Sequence, residues 1–412
     1  MLLLVETKEQ LGAMDRIQEP DRDESDDATF ERGTNQGGMR ERNERVVLSL
    51  LRRNSDMAKA DIARRTGLSA QTVARLIGSL EADGLILRGT PSRGRIGQPS
   101  VPLSLNPSGV VFMGMKVGRR SVEMVVIDFL GQIIDREKQI YDYPDFDKVL
   151  QFAKTSSKSL RARLPANLRS RIAGLGIAMP FFLWSWPEHI GVDAERMANW
   201  EYRDLQGEIA EALGMPVFLQ NDGTAACSAE MVFGENPLPA NTLCFFIAFF
   251  IGGGLVLRNA LYTGSNGNAA GFGPLKIPDR NGVSRPMIEL ASLATLEEAL
   301  VKNGVDAQQM WVDPENWDFP GDIVAEWTAQ CAHAIAQAIQ STQAIVDLEL
   351  VLIDGWMPRA LCAEVTTQTK AQLATLDMTG MDRPDIATGT RGPDARVLGA
   401  ASLPLSHRFL VQ

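Results

Sequence analysis

The stretch "KADIARRTGLSAQTVARLIGSLEADGLILRG", residues 59–89, decides the fold at the N-terminal end of the chain. Its first part predicts a short helix that stops at Gly67, because glycine tolerates the left-handed conformation that often ends helices. Ser69 predicts the N-cap of a second helix. The apolar residues of that helix recur at helical spacing and form one stripe: Val73, Leu76, Ile77 and Leu80. Gly84 ends this helix, and "LILRG" begins a short strand.

The flanking residues complete a winged helix-turn-helix. "NERVVLSLLRR", residues 43–53, predicts a preceding helix, with ordered structure beginning near Asn43. "PSRGRIGQPSVPLSLNP", residues 91–107, has the Arg, Gly and Pro content expected of a wing loop and an exit linker. Helices followed by a hairpin in this order are typical of a DNA-binding domain. We therefore predict such a domain over residues 41–106.

Charge supports this interpretation. Residues 43–95 carry ten basic and five acidic side chains, although the whole chain has a net charge of −10. A net positive module suits contact with DNA phosphates. Gln71 and Arg75 lie near the start of the second helix and can bind adenine or guanine edges in the major groove. An ordinary surface helix would explain one such segment, but not the whole ordered set. The predicted DNA-contacting residues are Lys59, Ser69, Gln71, Thr72, Arg75, Arg93 and Arg95.

Length and composition exclude several classes of protein. A chain of 412 residues predicts two or more domains, and 45% hydrophobic with 22% charged residues is typical of soluble globular proteins. The apolar runs are too short to cross a membrane, and "MLLLVETKEQ" is too short and acidic for a signal peptide. We therefore expect a cytoplasmic protein. The four cysteines form no CxxC pair and are expected to be buried free thiols.

The rest of the chain divides into a tail and an α/β region. Residues 1–40 are polar and acidic, without a periodic apolar face, and are predicted to be disordered. Over residues 107–412, apolar strand segments alternate with amphipathic helices, which favours an α/β domain in two lobes. The strand candidates include "VVFMGMKVGRRSVEMVVIDFLGQII", "SRIAGLGIAMP", "MPVFLQND", "TLCFFIAFFIGGG" and "LELVLIDG".

Six stretches in order resemble the ROK family (repressors, open reading frames, kinases). They are "GRIGQPSVPLSLNPSG", "GLGIAMP", "QNDGTAACSAE", "YTGSNGNAAGFGPL", "PMIELAS" and "GPDARVLGAASL". The resemblance covers the chain from about Asn43 to its end, and is greatest to the family's sugar-responsive repressors. It implies a bilobal actin-like (RNase H-like) fold, in which the family's kinases bring ATP and sugar together in a cleft.

The resemblance also exposes a change in the first phosphate loop. The family's kinases carry Asp-x-Gly-Gly-Thr-Lys, where the acid helps to hold magnesium and the glycines cradle phosphate. The matching stretch here is "KVGRRS", with Lys116 in place of the acid and Arg119 and Arg120 after the remaining glycine. A lysine cannot ligate magnesium, and bulky side chains hinder close approach to the backbone.

The second phosphate loop is changed too. The family's kinases have Gly-Thr-Gly-Ile-Gly-Gly-Gly, whereas this chain has "AFFIGGG", with Ala248, Phe249 and Phe250 in the first three places. Phenyl rings offer no donor and occupy the volume of a phosphate. The triple glycine that follows, Gly252–Gly254, is expected to form a tight turn. Neither ATP as a cofactor nor kinase activity is expected.

The sugar pocket is partly kept. The resemblance implies that Asn221, Asp222 and Glu289 contact the ligand, and it adds Gly271 and Asn199. In the kinases the aspartate also acts as general base. The residue pattern alone leaves Asp222 open as a simple helix N-cap. The family's pocket glutamate, zinc-binding histidine and cysteine cluster have no counterpart, so no zinc is expected. Trp184 and Trp186 either stack on a sugar or pack in the core or an interface.

Three hypotheses follow. The first is a transcriptional regulator, a repressor, that binds double-stranded operator DNA and responds to a sugar or related small molecule. It is expected to act as a homodimer or homotetramer, because two-fold operators require two copies. The second is an ATP-dependent sugar kinase with an appended DNA-binding domain. The third is a constitutive DNA-binding protein whose α/β domain no longer binds a ligand.

Overall fold

The N-terminal domain is a three-helix module with a two-stranded hairpin. The structure is a computed structural model that describes residues 36–54, 56–91, 101–185 and 192–411. The elements are α1 (Gln36–Arg53), α2 (Lys59–Thr66), α3 (Ala70–Ala82), β1 (Ile86–Arg88) and β2 (Leu103–Leu105). β1 and β2 are antiparallel, and a bridge between Met57 and Leu103 ties the α1–α2 connection to the hairpin. This arrangement confirms the predicted winged helix-turn-helix.

The sequence signals at the helix ends are present as expected. Gly67 ends α2 in the left-handed conformation, with φ of 69°. The Ser69 hydroxyl accepts a hydrogen bond from the Thr72 N–H at 3.1 Å and so caps α3. The apolar stripe of α3 is buried throughout. The short turn between α2 and α3 is therefore fixed at both sides by local interactions.

The N-terminal boundary differs from the expectation. α1 begins at Gln36, before the expected start near Asn43. No proline or β-branched residue lies between Gly38 and Arg45, so the helix extends backwards from its apolar part and gains one hydrogen bond per residue. Residues 1–35, the rest of the predicted tail, lie outside the described residues. The domain boundaries at 41–106 and 107–412 remain predictions.

The first half of the α/β region forms a five-stranded sheet with its helices. In chain order the elements are β3 (Val111–Val117), β4 (Ser121–Ile127), β5 (Ile133–Ile140), α4 (Phe146–Arg163), α5 (Ala166–Arg169), β6 (Ile172–Met179), α6 (Ala194–Met197), α7 (Asn199–Tyr202), α8 (Leu205–Leu213) and β7 (Val217–Asn221). The strand order is β5-β4-β3-β6-β7. β3, β4 and β5 are antiparallel neighbours, whereas β3, β6 and β7 run parallel.

The second half forms another five-stranded sheet. Its elements are α9 (Asp222–Phe233), β8 (Thr242–Ile247), β9 (Ile251–Leu257), β10 (Ala260–Tyr262), β11 (Lys276–Pro278), β12 (Ser284–Pro286), α10 (Leu293–Lys302), α11 (Gln309–Val312), α12 (Gly321–Gln343), β13 (Leu350–Gly355), α13 (Arg359–Thr375), β14 (Asp385–Thr388) and α14 (Ala395–Phe409). The strand order is β10-β9-β8-β13-β14, and β11 pairs with β12. Single 3-10 turns occur at Pro107–Gly109, Leu183–Ser185, Met287–Glu289 and Gly392–Asp394.

The last helix returns to the first sheet. A Cβ added to Gly176 would lie 1.8 Å from the Ala400 carbonyl oxygen, and one added to Gly114 would lie 2.4 Å from the Val397 carbonyl oxygen. Only glycine at these two strand positions allows α14 to lie so close to β3 and β6. The close contact sets α14 against the middle of β3 and β6.

The triple glycine does not form the expected turn. Gly252, Gly253 and Gly254 lie within β9, and residues 248–250 make the turn between β8 and β9. The reason is close packing, since a Cβ at Gly254 would lie 2.4 Å from the Cys227 Cβ on α9. A Cβ at Gly223 would likewise lie 2.6 Å from the Gly253 nitrogen. The glycines therefore serve the approach of α9 to the second sheet.

The DNA-binding module and the first sheet share one hydrophobic core. A single buried cluster includes Val47 and Leu51 of α1 together with Phe112 of β3, Phe129 and Phe409. The three phenylalanine rings contact each other at centroid distances of 5.4 to 6.3 Å. The two domains are therefore joined by apolar packing as well as by the chain. Among the described helices, none is long and apolar enough to cross a membrane.

Candidate DNA-binding surface and ligand cleft

The DNA-binding candidates lie on and around α3. Gln71 and Arg75 are exposed, and Lys59 is half-buried at the start of α2. Ser69 and Thr72 interact with each other, with 2.9 Å between their hydroxyl oxygens, as part of the helix cap. These two residues therefore position α3, while Gln71 and Arg75 present donors to the surrounding water. The two wing candidates, Arg93 and Arg95, lie outside the described residues.

Two other basic side chains of the module form ion pairs. Arg64 lies 2.6 Å from Asp61 in α2. Arg88 of β1 pairs with Glu81 of α3, and its guanidinium lowers the pKa of the Glu81 carboxyl. The first pair lies within α2 and the second joins β1 to α3. Because both arginines are already paired, they are weaker candidates for base contact than Arg75.

The cleft site is built around the start of α9. The side-chain Oδ1 of Asn221 accepts hydrogen bonds from the backbone N–H groups of Gly223 at 3.0 Å and Thr224 at 3.4 Å. Its side-chain Nδ2 donates to Oδ1 of Asn268 at 3.2 Å. Asn221 is therefore the N-cap of α9. The alternative that Asp222 serves only as the cap is wrong, because its neighbour holds that position.

Asp222 instead forms an ion pair with Arg396 at the start of α14. Their closest atoms, Arg396 Nη1 and Asp222 Oδ2, are 3.2 Å apart, and the side chains are 10% and 19% exposed. The guanidinium also lies over the Phe246 ring, 5.2 Å from its centre. Sequence reasoning did not select Arg396, whose only signal is its place in the final motif "GPDARVLGAASL". Arg396 contacts only the Oδ2 oxygen of Asp222, so a ligand hydroxyl can donate to Oδ1, or to Oδ2 in competition with Arg396.

The other predicted ligand residues are Gly271, Glu289 and Asn199. A Cβ added to Gly271 would lie 3.4 Å from the Asn268 amide nitrogen, so Gly271 is next to the partner of Asn221. Glu289 is exposed and lies 3.6 Å from Arg285. Asn199 is exposed at the start of α7. Within the described ranges, no hydrogen bond connects Glu289 or Asn199 to Asn221 or Asp222, and their ligand contacts remain predictions.

Aromatic side chains line the segments next to the site. A Cβ at Gly267 would lie 3.0 Å from the ring of Phe181, which sequence reasoning did not select. Phe272 is buried against Phe245 at a centroid distance of 4.5 Å. Trp184 packs partly buried against the core of the first sheet, which favours the packing alternative for this residue. Trp186 lies outside the described residues.

The β3–β4 and β8–β9 turns, where the resemblance places the kinases' phosphate loops, contact each other. The Arg119 guanidinium, in the β3–β4 turn, lies 4.3 Å from the centre of the Phe249 ring in the β8–β9 turn, and burial lowers its pKa to about 10. Arg120 pairs with Glu297 of α10 at 2.9 Å. Cation–π and ionic contacts thus join the two lobes at this point.

Lys116, in β3, is buried beside Glu123 and Trp356. Its ammonium is 3.4 Å from Glu123 and 4.4 Å from the centre of the Trp356 ring, and the side chain is 2% exposed. Burial lowers the pKa of Lys116 to about 8, although Glu123 acts in the opposite direction. Among the described residues, no three His, Cys, Asp or Glu side chains come together as a metal site. The four cysteines are buried thiols.

Comparison with known proteins agrees with the domain order. The ROK family model matches residues 112–406, and a winged helix-turn-helix DNA-binding model matches residues 40–86. The chain is 25% identical over 369 residues to the uncharacterized protein y4fQ of Sinorhizobium fredii, covering 89% of this chain and 91% of that protein. It is 26% identical over 242 residues to the xylose repressor of Bacillus spizizenii, which is 58% of this chain and 61% of the repressor.

Solved structures show the same fold at low sequence identity. A ROK family transcriptional regulator, a homologue of the E. coli MLC protein, is 19% identical with a TM-score of 0.63, covering 90% of this chain and 98% of that one. A ROK family glucokinase from Streptomyces griseus, solved with glucose and AMPPNP, is 17% identical with a TM-score of 0.54, covering 71% and 98%. The match over residues 112–406 spans more than half of the sequence, and the chain belongs to the ROK family, with a winged helix-turn-helix DNA-binding domain at its N-terminal side.

Proposed function

We propose that this protein is a transcriptional repressor whose ROK domain binds a sugar or a related small molecule and thereby controls operator binding. The observation that carries the proposal is the shared core between the DNA-binding module and the first sheet. A DNA-binding domain merely appended to an enzyme needs no such packing. A domain that responds to a ligand elsewhere in the chain does need it, because conformational coupling requires contact between the parts that change.

The exposed face of α3 supports the DNA half of the proposal. Arg75 and Gln71 are exposed on this capped helix, and both side chains have the geometry for paired hydrogen bonds to a purine. Operator binding should weaken steeply as salt increases, since phosphate contacts release counterions. Two copies of the chain are expected on a two-fold operator, so the proposed active form is a homodimer or homotetramer. Light scattering at several protein concentrations tests this.

The cleft supports a neutral, hydroxyl-bearing effector. The Asn221 and Asp222 side chains lie at the start of α9 with Asn268 and Gly271 beside them. Carboxylate and amide groups next to aromatic rings suit a sugar, which has hydroxyls at its edges and apolar C–H faces. Similarity to proteins named xylose repressors makes D-xylose the first compound to test.

The phosphate turns do not fit a nucleotide. The Arg119 side chain stacks on Phe249, where the resemblance places a phosphate. The backbone N–H groups of Leu293 and Ala294, at the start of α10, already donate to the carbonyl oxygens of Ala248 and Phe249. Lys116 stands where a magnesium-holding acid is expected and is itself a cation. These contacts support a protein without ATP as a cofactor and without kinase activity.

One set of assays tests the whole proposal. The full chain selects a DNA duplex from a random library, and its affinity is then measured by fluorescence anisotropy with and without D-xylose, D-glucose and other neutral aldoses. Thermal shift with the same sugars reports binding, because a ligand that binds only the folded state raises the melting temperature. If one sugar releases the protein from its selected duplex, the proposal is supported. If the affinity for DNA is unchanged by every sugar that binds the protein, the proposal is contradicted.

A kinase assay tests the alternative. The protein is incubated with ATP, magnesium and the same sugars, and ADP formation is followed. No turnover is expected with any sugar. Turnover that disappears in the Asp222→Asn variant would show that the protein is a kinase.

A further inference from the structure

Helices α9 and α14 form a parallel pair in constant register. Asp222 contacts Arg396 at 3.2 Å, and the hydroxyls of Ser228 and Ser402 are 2.8 Å apart. Between these contacts, a Cβ added to Gly399 would lie only 1.8 Å from the carbonyl oxygen of Ala225. Each step along one helix is matched by an equal step along the other. The two helices therefore have a fixed alignment that starts at the proposed ligand site.

The opposite ends of this helix pair contact the DNA-binding module. At the end of α9, the Phe233 ring lies 5.6 Å from the Arg52 guanidinium of α1. Just after α14, the Val411 N–H donates to the Ser49 hydroxyl of α1 at 3.0 Å. The Arg52 guanidinium also donates to the Phe129 carbonyl oxygen and lies 5.2 Å from the centre of that ring. Both helices thus span from Asp222 to the first helix of the module.

The ion pair is the polar contact at the ligand end of the helix pair. Arg396 is 8% exposed as a residue, and its Nε is buried without a hydrogen-bond partner among the described residues. Its hydrogen bond to Asp222 is therefore a principal compensation for burying the charge. A sugar hydroxyl that donates to the Oδ2 oxygen of Asp222 competes with this hydrogen bond. Losing it leaves a buried guanidinium that must find a new partner, which is costly without a shift of α14.

We propose that Arg396 is the residue that senses occupancy of Asp222 and passes it through α14 to the DNA-binding module. This inference rests on the proposed function. Close glycine contacts hold α14 against α9 and the first sheet, so a displacement at Arg396 is carried along the helix as a rigid element. The end of α14 and Phe409 then move against α1, which changes the placement of the module on DNA.

A double-mutant cycle on operator affinity tests this without knowing the effector. The full chain and the variants Asp222→Asn, Arg396→Gln and the double variant are titrated against the duplex selected by the wild type. Each single variant should mimic the ligand and weaken binding about five-fold or more, and the double variant should lose no more than either one. Arg396→Lys keeps the positive charge and should fall between the wild type and Arg396→Gln.

The matched control is Arg391→Gln, which changes an arginine just before α14. Arg391 lies 3.7 Å from Glu235, and operator affinity should stay within two-fold of the wild type. Thermal melting tests whether each variant is folded. If Arg396→Gln does not fold, Arg396→Lys takes its place in the cycle, alone and combined with Asp222→Asn. Single variants that bind like the wild type, or losses that add in the double variant, would overturn the inference.

The outcomes also separate this inference from the proposed function. A wild-type protein that selects no DNA duplex would contradict both. If the wild type binds its duplex and a sugar releases it, but the cycle is additive, the repressor assignment stands and the role of Arg396 is wrong. If the cycle is non-additive, D-xylose or another active sugar should also change the operator affinity of Arg396→Gln less than that of the wild type. The change is measured as the ratio of the dissociation constants for DNA with and without the sugar.

Discussion

Replacing Gly399 with alanine should separate the two helices that join the proposed ligand site to the DNA-binding module. The new Cβ would lie 1.8 Å from the Ala225 carbonyl oxygen and 2.3 Å from its carbon. Both are backbone atoms of α9, so no side chain can rotate away, and the helices must part by about 1 Å or more. Overpacking of this kind costs about 1–3 kcal/mol, occasionally more.

The neighbouring polar contacts increase the cost. Asp222–Arg396 and Ser228–Ser402 lie one turn on either side of Gly399 and would lengthen together. We therefore expect a loss near the upper end, about 3 kcal/mol. At roughly 2–4 °C per kcal/mol for domains of 150–250 residues, the melting temperature should fall by about 6–12 °C.

Differential scanning calorimetry of the full chain measures this change. Gly78→Ala is the control, because it also adds one methyl to a helix, but a Cβ there meets nothing within 4 Å. It should leave stability unchanged or raise it by up to about 1 kcal/mol, since alanine favours helix over glycine. If Gly399→Ala has the same melting temperature as the wild type, the described contact between α9 and α14 is wrong, and the coupling inference loses its basis.

The remaining predictions concern the DNA-binding surface, the packing of α1 against the first sheet, and the buried Lys116. Arg75→Ala should lower discrimination between bases by about 1–3 kcal/mol at one base pair, measured by anisotropy. Lys59→Ala should weaken binding to all duplexes alike and reduce by about 1 the slope of log affinity against log salt concentration. Arg52→Ala should destabilise the protein by about 2–3 kcal/mol through its lost hydrogen bond and ring contacts, and exposed Arg53→Ala should stay within about 0.5 kcal/mol in the same urea titration. Burial lowers the pKa of Lys116 to about 8 from 10.5, so the unfolded chain binds more protons than the folded protein between these pH values. The free energy of unfolding of the wild type should therefore rise with pH in this range relative to that of Lys116→Met. An equal dependence of the unfolding free energy on pH in both proteins would contradict this.

Local patterns were sufficient to predict most secondary structure. The stripe of α3 from Val73 to Leu80, the cap at Ser69 and the stop at Gly67 each depend on residues within one or two turns. Strands such as β6 and β13 are short apolar runs between turn signals, and they occur where expected. Interactions over a few residues are encoded by spacing, so a single sequence reveals them.

Contacts across the fold could not be predicted in the same way. Gly252–Gly254 have the composition of a turn, yet they lie in a strand because α9 packs on it. Arg396 lies 174 positions from Asp222 along the chain, and no local pattern links the two. Asn268 and Phe181 were missed for the same reason, since their relation to the site depends on how separate loops meet.

The β3–β4 and β8–β9 turns join the two lobes through several side-chain contacts. Here Arg119 stacks on Phe249, Arg120 pairs with Glu297, and Lys116 lies over Trp356. These contacts connect the lobes through side chains of the chain itself. Under the proposed function, an effector at Asp222 does not have to join the lobes, and its differential binding free energy can shift Arg396 and α14.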